Sequence, residues 1–307
     1  MKGLELSRKF YNEFGERMLQ AEFSHLLPFL AVGLAGSGSE CYGFDDDISH
    51  DHDFEPAFCI FIPDEKVIDS KTAFALERAY SKLPDEFCGC KRCKVSAVGG
   101  ARHGVIRLGD FFEAKTGKRD GALTLADWLN VPEHALAEAV NGAVFFDNYG
   151  EFTKIRERIA YLPEDVRTKK LAGNLLLMAQ AGQYNYNRCI SRGDTAAAQL
   201  AVYEFVKSAI HAVFLINKTY MPYYKWQFKA LKGLPRLCGI ADKLEYLISS
   251  DNTATTAERK AAVIEEICAA ISKDLGAKSA ELEPLAYEIN NKISDGVLRN
   301  MHILCAV

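Results

Sequence analysis

The chain has 307 residues, 49% of them hydrophobic and 25% charged, which is typical of a water-soluble globular protein large enough for two cores. Its net charge of −4 excludes the overall basic character of a duplex nucleic-acid binder, but leaves a small substrate or a locally basic site open. No apolar run approaches the length of a membrane span, and the first residues are not those of a signal sequence, so a cytoplasmic protein is expected.

The N-terminal segment predicts a helix followed by a buried strand. Apolar residues recur at helical spacing on one face, namely Leu4, Phe10, Phe14, Met18 and Phe23. The apolar run 27–35 then has the length and content of a short strand. A turn of small residues follows at once, Gly36-Ser37-Gly38-Ser39, whose glycines allow the backbone close to phosphate oxygens while the serines add donors.

A second predicted strand, 51–62, opens with Asp51-His52-Asp53. Because side chains alternate along a strand, both carboxylates point to one face, about 7 Å apart, and can share divalent cations. Mg²⁺ accepts one or two carboxylates together with substrate phosphates. The pattern therefore predicts a site for a metal-bound triphosphate. A solvated acidic loop that includes residues 45–47 is the alternative, and a His-Asp phosphohydrolase centre is disfavoured because the histidines face away from the acids.

The next elements are a helix over 71–82 and two strand candidates, 94–98 and 103–108. Between them lie three closely spaced thiols, Cys88, Cys90 and Cys93. Zinc held by these thiols and His103 is an alternative, but a second cysteine pair at zinc-ribbon spacing is missing, so a turn is favoured.

Past residue 122 the signals are almost all helical, which predicts an α+β protein in two domains. Residues 1–122 would form a mixed sheet with flanking helices, and residues 123–307 an all-helical domain.

Two clusters stand out in the helical part. Gln180, Tyr184, Asn187 and Arg188 form a polar stripe, which spacing alone interprets as a solvent face. Pro222 is expected to end a long apolar helix and leave Tyr223-Tyr224-Lys225-Trp226 at its end, where Lys225 could counter phosphate charge.

The series Gly38-Ser39, Gly43, Ser49 and Asp51-x-Asp53 resembles the signature of the polymerase-beta-like nucleotidyltransferase superfamily. The longer pattern, with downstream stretches 127–129, 161–167, 183–186 and 222–226, is most similar to a bacterial family of nucleotidyltransferase-like proteins of unknown function with a C-terminal helical domain. The resemblance runs from about Phe29 to Trp226.

The resemblance implies a nucleotidyltransferase that moves a nucleoside monophosphate from an NTP, with ATP expected, to a hydroxyl-type acceptor. Asp51 and Asp53 would be catalytic and hold Mg²⁺ or Mn²⁺, while Gly36, Ser37, Gly38, Ser39 and Lys225 would bind the nucleotide. The superfamily's third carboxylate is missing from the strand 103–108, and Asp110, Glu113 and Asp120 come after it. A catalytically impaired nucleotide-binding or partner-binding module is therefore the alternative. The acceptor and the oligomeric state stay open.

Overall fold

The computed structural model describes residues 1–46, 54–92 and 103–307. Contacts divide the chain into two compact units. The first unit is Met1–Asp127 with Val131–Ala160, and the second is Trp128–Asn130 with Tyr161–Val307. The predicted α+β class, with a small mixed sheet followed by a helical part, is confirmed.

A four-stranded sheet in the order β5-β2-β1-β6 forms the centre of the first unit. Its strands are β1 (Ala31–Leu34), β2 (Cys59–Ile62), β5 (Gly104–Arg107) and β6 (Ala143–Asp147). β1 is antiparallel to both of its neighbours, and β5 is parallel to β2. Every residue of β1 and β2 is buried, which explains why both strands are apolar runs rather than alternating ones.

A two-stranded hairpin, β3 (Glu86–Phe87) and β4 (Cys90–Lys91), lies apart from this sheet. Its turn residues Cys88 and Gly89 both have positive φ, as a two-residue hairpin of this twist requires. The predicted turn at the cysteines is thus present, while Cys93 and the strand predicted over 94–98 lie outside the described residues.

Helices cover both faces of the sheet. Up to residue 160 they are α1 (Gly3–Phe10), α2 (Glu16–Glu22), α3 (Ser39–Tyr42), α4 (Ser70–Ser81), α5 (Leu108–Thr116), α6 (Leu125–Asn130), α7 (Glu133–Val140) and α8 (Glu151–Arg158), with a π-helical turn at Tyr11–Gly15 and a 3₁₀ segment at Ser24–Phe29. Ile60 and Ile62 of β2 join a core with α1, α2 and α4. Phe61 points to the other face, where its ring stacks on Phe152 of α8 with the centroids 4.2 Å apart.

Two predicted strands begin later than expected, and one further strand was not predicted. β1 begins only at Ala31, because Pro28 lies in the preceding 3₁₀ segment. β2 begins at Cys59 rather than at 51, since residues 54–58 are irregular. β6 was not predicted, because the periodicity of a run of only five residues cannot distinguish a strand from a helix. Its pairing with β1 extends the first unit beyond residue 122.

Gly142 allows β6 to start against the end of β1. Its φ is +67°, and an added Cβ would lie 1.9 Å from the carbonyl oxygen of Leu34. Gly142→Ala should therefore lower the free energy of unfolding by about 3 kcal/mol or more, since backbone strain and a backbone clash combine. Gly43→Ala is the control, because Gly43 has a similar φ of +69° but open space around it, and about 1–2 kcal/mol is expected. Equal losses in denaturant titrations would contradict the clash.

The second unit is helical. Past residue 160 its helices are α9 (Glu164–Met178), α10 (Asn187–Ser191), α11 (Thr195–Ile216), α12 (Gln227–Leu231), α13 (Ala241–Ser249), α14 (Ala254–Asp274), α15 (Leu282–Asn290) and α16 (Gly296–Asn300), with a π-helix at Ala179–Tyr186 and 3₁₀ turns at Tyr224–Trp226 and Cys238–Ile240. α9, the π-helix and α10 follow one another without interruption from Glu164 to Ser191.

Two buried cations hold parts of this unit together. The Nζ of Lys169, fully buried on α9, donates to Asn290 Oδ1 at 2.9 Å and to the carbonyl of Met301 at 2.7 Å. Lys260, fully buried on α14, donates to three neutral oxygens, those of Gln199, Ser250 and Asn252. Burial lowers the pKa of both ammonium groups. These lysines therefore have a structural role that composition alone does not indicate.

α11 ends earlier than predicted, and for a different reason. It stops at Ile216, and Lys218 follows with φ +52°. The amide of Thr219 then donates to the carbonyl of Phe214, and that of Lys218 to Leu215, which is a Schellman motif. The expectation that Pro222 ends this helix was wrong.

α11 is also the one helix in the described ranges that is long and apolar enough to cross a membrane. However, 61% of its apolar window is buried inside the protein, as in a core helix, and no membrane protein is indicated. A cytoplasmic location stays a prediction.

Candidate functional site

The predicted small-residue turn joins β1 to the short helix α3. Gly36 has φ +129°, a conformation that L side chains rarely adopt, and it is buried together with Gly38. Ser37 is exposed, and Ser39 begins α3. A Cβ added at Gly36 would meet no atom within 4 Å, so the turn borders open space. The turn thus has glycine at the position where its backbone needs it.

A side chain distant in sequence fixes this turn. Asn141 accepts a hydrogen bond from the Gly36 amide through Oδ1 at 2.9 Å and donates to the Gly36 carbonyl through Nδ2 at 2.7 Å. Arg156 in turn donates to the carbonyls of Val140 and Asn141. Burial lowers the pKa of this guanidinium. These two hydrogen bonds restrain the backbone at the first residue of the turn.

The segment after α3 is partly buried. The rings of Tyr42 and Phe44 stack with centroids 5.7 Å apart, and burial, with a smaller contribution from Glu138, raises the pKa of the Tyr42 phenol. Asp45 is 3% exposed and accepts a hydrogen bond from the amide of Gly3, at the start of α1, at 2.9 Å. The alternative of a solvated acidic loop therefore fails at Asp45, although Asp46 is exposed.

Asp51 and Asp53, the predicted metal ligands, lie outside the described residues. The described sheet nevertheless defines where β2 begins. Gly33 pairs with Cys59 in the antiparallel β1–β2 ladder, so the start of β2 lies beside the end of β1, where the turn begins. Asp53 precedes Cys59 by six residues in sequence. We call this edge of the sheet the turn edge.

The acids considered for the third carboxylate lie elsewhere. β5 runs parallel to β2, so its last residue, Arg107, pairs with Ile62 at the edge opposite the turn edge. Asp110 and Glu113 follow on α5, where both contact Arg119, which also contacts Asp64 Oδ1 at 2.6 Å. Asp120 accepts from the amide of Ala122. The structure does not bring these acids to the turn.

A partly buried pair, a carboxylate and a histidine, precedes the strands that begin at the turn edge instead. Glu55 precedes β2 and His103 precedes β5, and these parallel strands begin at the same edge. Glu55 Oε1 and His103 Nδ1 are 2.7 Å apart, with the side chains 14% and 10% exposed. From the sequence, His103 was predicted only as an alternative zinc ligand, and Glu55 was not predicted to be a site residue. Their proximity was not predictable, because 48 residues separate them.

Within the described ranges there is no group of three or more His, Cys, Asp or Glu side chains arranged to hold a metal ion. Cys88 and Cys90 are free thiols at the surface hairpin. The described residues therefore provide no zinc site at the hairpin, while Cys93 lies outside them.

In the second unit, Lys225 lies on the 3₁₀ turn after α11 and is exposed. Its Nζ lies 5.2 Å from the centroid of the Trp226 ring, and the Nζ of Lys229 lies 5.5 Å from it. In the polar stripe, Arg188 Cζ stacks 4.6 Å from the Tyr184 ring centroid at the surface. This surface position agrees with the predicted solvent face of the stripe.

Comparison with known proteins finds one family. Residues 128–227 match the model of a domain of unknown function, DUF4037, so the chain carries such a domain there. This range includes the stretches 161–167, 183–186 and 222–226 that carry part of the resemblance described above. No curated protein matches the chain, and no solved structure does.

Proposed function

We propose that the protein is a Mg²⁺-dependent nucleotidyltransferase of the polymerase-beta-like type, which transfers a nucleoside monophosphate from an NTP, with ATP expected, to a hydroxyl-type acceptor. The observation that supports this most is the turn 36–39. It is fixed by Asn141, faces open space, and adjoins the strand that the Asp-x-Asp pair precedes in sequence. The sequence resemblance supplies the reaction class.

In this proposal, different residues of the chain bind the phosphates and the metal ion. The amides and hydroxyls of residues 37–39 hold the β- and γ-phosphates, as small-residue turns can, while Gly36, whose amide donates to Asn141, positions the backbone of the turn. Asp51 and Asp53 present oxygen ligands, which Mg²⁺ and Mn²⁺ prefer. A bound divalent ion would neutralise the negative charge that develops on the leaving pyrophosphate.

We assign proton removal to the pair of Glu55 and His103. With its Nδ1 proton donated to Glu55, His103 has a lone pair on Nε2 that can take the proton of the acceptor hydroxyl. The acceptor oxygen forms a bond to the α-phosphorus as the bond to the bridging oxygen breaks, and pyrophosphate leaves. This pair would replace the third carboxylate that β5 lacks.

The alternative, a nucleotide-binding or partner-binding module without catalysis, is favoured by one observation: the interior of β5 has no acid. The two functions are separated by incubating the protein with NTPs labelled at the α-phosphate, Mg²⁺ and cell extract, with Asp51→Asn/Asp53→Asn as the control. Transfer of label to an acceptor supports the enzyme, whereas ATP binding without any transfer supports the module.

The assignment of Lys225 to the phosphates stays a prediction, and it can be tested directly. Lys225→Met should weaken ATP binding by roughly tenfold to a hundredfold, the range for a charge-assisted hydrogen bond. The melting temperature should hardly change, because the side chain is exposed. Lys229→Met is the matched control, since Lys229 lies over the same ring. Equal effects of the two changes, or none, would remove Lys225 from the nucleotide site.

A further inference from the structure

The second unit contains a long basic stretch in an acidic protein. From Phe205 to Ala241 the sequence has no Asp or Glu, but it has six cations, Lys207, Lys218, Lys225, Lys229, Lys232 and Arg236, whereas the whole chain carries −4. The charge is therefore concentrated locally, and an anionic partner would be attracted to this stretch rather than to the protein as a whole.

Most of these cations are already paired within the unit. Lys207 contacts Glu204 at 3.0 Å, Lys218 contacts Glu164 at 3.2 Å, Lys232 contacts Glu245 at 2.7 Å and Arg236 contacts Asp274 at 2.5 Å. Lys225 differs from them, because it is exposed and has no carboxylate partner in the part of the chain that the structure describes. Its charge is therefore available to a ligand.

Exposed aromatic rings lie directly beside this cation. Tyr224 is 70% exposed and Tyr223 is 43% exposed, with ring centroids 4.5 Å apart. Lys225 in turn lies over the ring of Trp226. The two rings are tilted by 46° against each other, so each exposed tyrosine presents its own π face, next to an ammonium group and within one turn of the chain. We call residues 223–226 the aromatic turn.

We propose that the aromatic turn binds single-stranded nucleic acid, with a base stacked on Tyr224 and the neighbouring phosphate on Lys225. A base next to a phosphate matches a tyrosine ring next to an ammonium group, and stacking needs no sequence preference. A duplex would not bind in this way, because its bases are stacked on one another inside the helix and cannot stack on a tyrosine ring. A peptide of acidic residues has the negative charge but no bases that could stack on the rings. The inference does not depend on the proposed function.

Fluorescence anisotropy with labelled single strands of about ten nucleotides, an oligouridylate and an oligothymidylate, tests this without NTP or metal. Tyr224→Ala should weaken binding by about 5-fold to 150-fold, the range for loss of one stacked base. Tyr287→Ala, another half-exposed tyrosine of the second unit, should bind as the wild type does. Lys225→Met should reduce the slope of log K against log salt by about 0.7.

Because Tyr224 is so exposed, its replacement should leave the melting temperature unchanged, and this is measured alongside. Preference for the oligouridylate would identify RNA as the partner, and equal binding would identify single strands in general. The proposal is overturned if neither strand binds at about 50 mM salt, if a hairpin duplex binds as tightly, or if Tyr224→Ala and Tyr287→Ala behave alike.

Discussion

Asp53→Asn should abolish the Mg²⁺-dependent binding of ATP while leaving the protein folded. Loss of a group that only supports a metal ligand typically weakens metal binding tenfold to a hundredfold, so loss of a ligand's charge should weaken it by about a hundredfold or more. Titration calorimetry of ATP with Mg²⁺, with Mn²⁺ and with EDTA measures this. Wild-type protein should bind only when a divalent ion is present.

The control is Asp46→Asn, which removes a carboxylate from the same acidic run at an exposed position. It should bind ATP as the wild type does, because the change in net charge is the same and the proposed ligands are intact. Undiminished binding by Asp53→Asn, or an equal loss in both variants, would show that Asp53 does not hold the metal.

His103→Gln should slow nucleotidyl transfer by about a hundredfold to ten-thousandfold, the usual contribution of a general base. ATP binding should stay within about twofold of the wild type, because a base acts on the acceptor and not on the phosphates. Glu55→Gln should have a smaller effect in the same direction, since it keeps a hydrogen bond to the imidazole but removes the negative charge beside it.

These variants also need a structural control, because the pair is partly buried. Their melting temperatures and the ATP titration distinguish loss of the base from loss of the fold. A His103→Gln protein that transfers nucleotide at the wild-type rate would refute the assignment, since another group must then accept the proton.

Local features of the first unit were predictable from the sequence because neighbouring residues determine them. The helix α4 was predicted over 71–82 and is found at Ser70–Ser81, and the small-residue turn lies where β1 ends. The contacts of that turn were not predictable. Asn141 holds Gly36 across 105 residues of sequence, and only the pairing of β6 with β1 brings the two together.

The position of the third carboxylate was also not predictable from the sequence. From the sequence, Asp110 was a candidate because it follows the strand 103–108 closely. Whether a residue after β5 can reach the turn depends on the direction of β5, and the parallel pairing with β2 sends it to the opposite edge. In the second unit, Lys169 and Lys260 are typical surface residues by type, and only the packed helices show that both are buried.

The position of the label that is transferred tests the central claim most directly. With ATP labelled at either the α- or the γ-phosphate, Mg²⁺ and cell extract, we expect the α-label to become attached to an acceptor, the γ-label to leave as pyrophosphate, and neither to happen with Asp51→Asn/Asp53→Asn. Transfer of the γ-label instead, or α-label transfer that persists in the double variant, would contradict nucleotidyl transfer at this site.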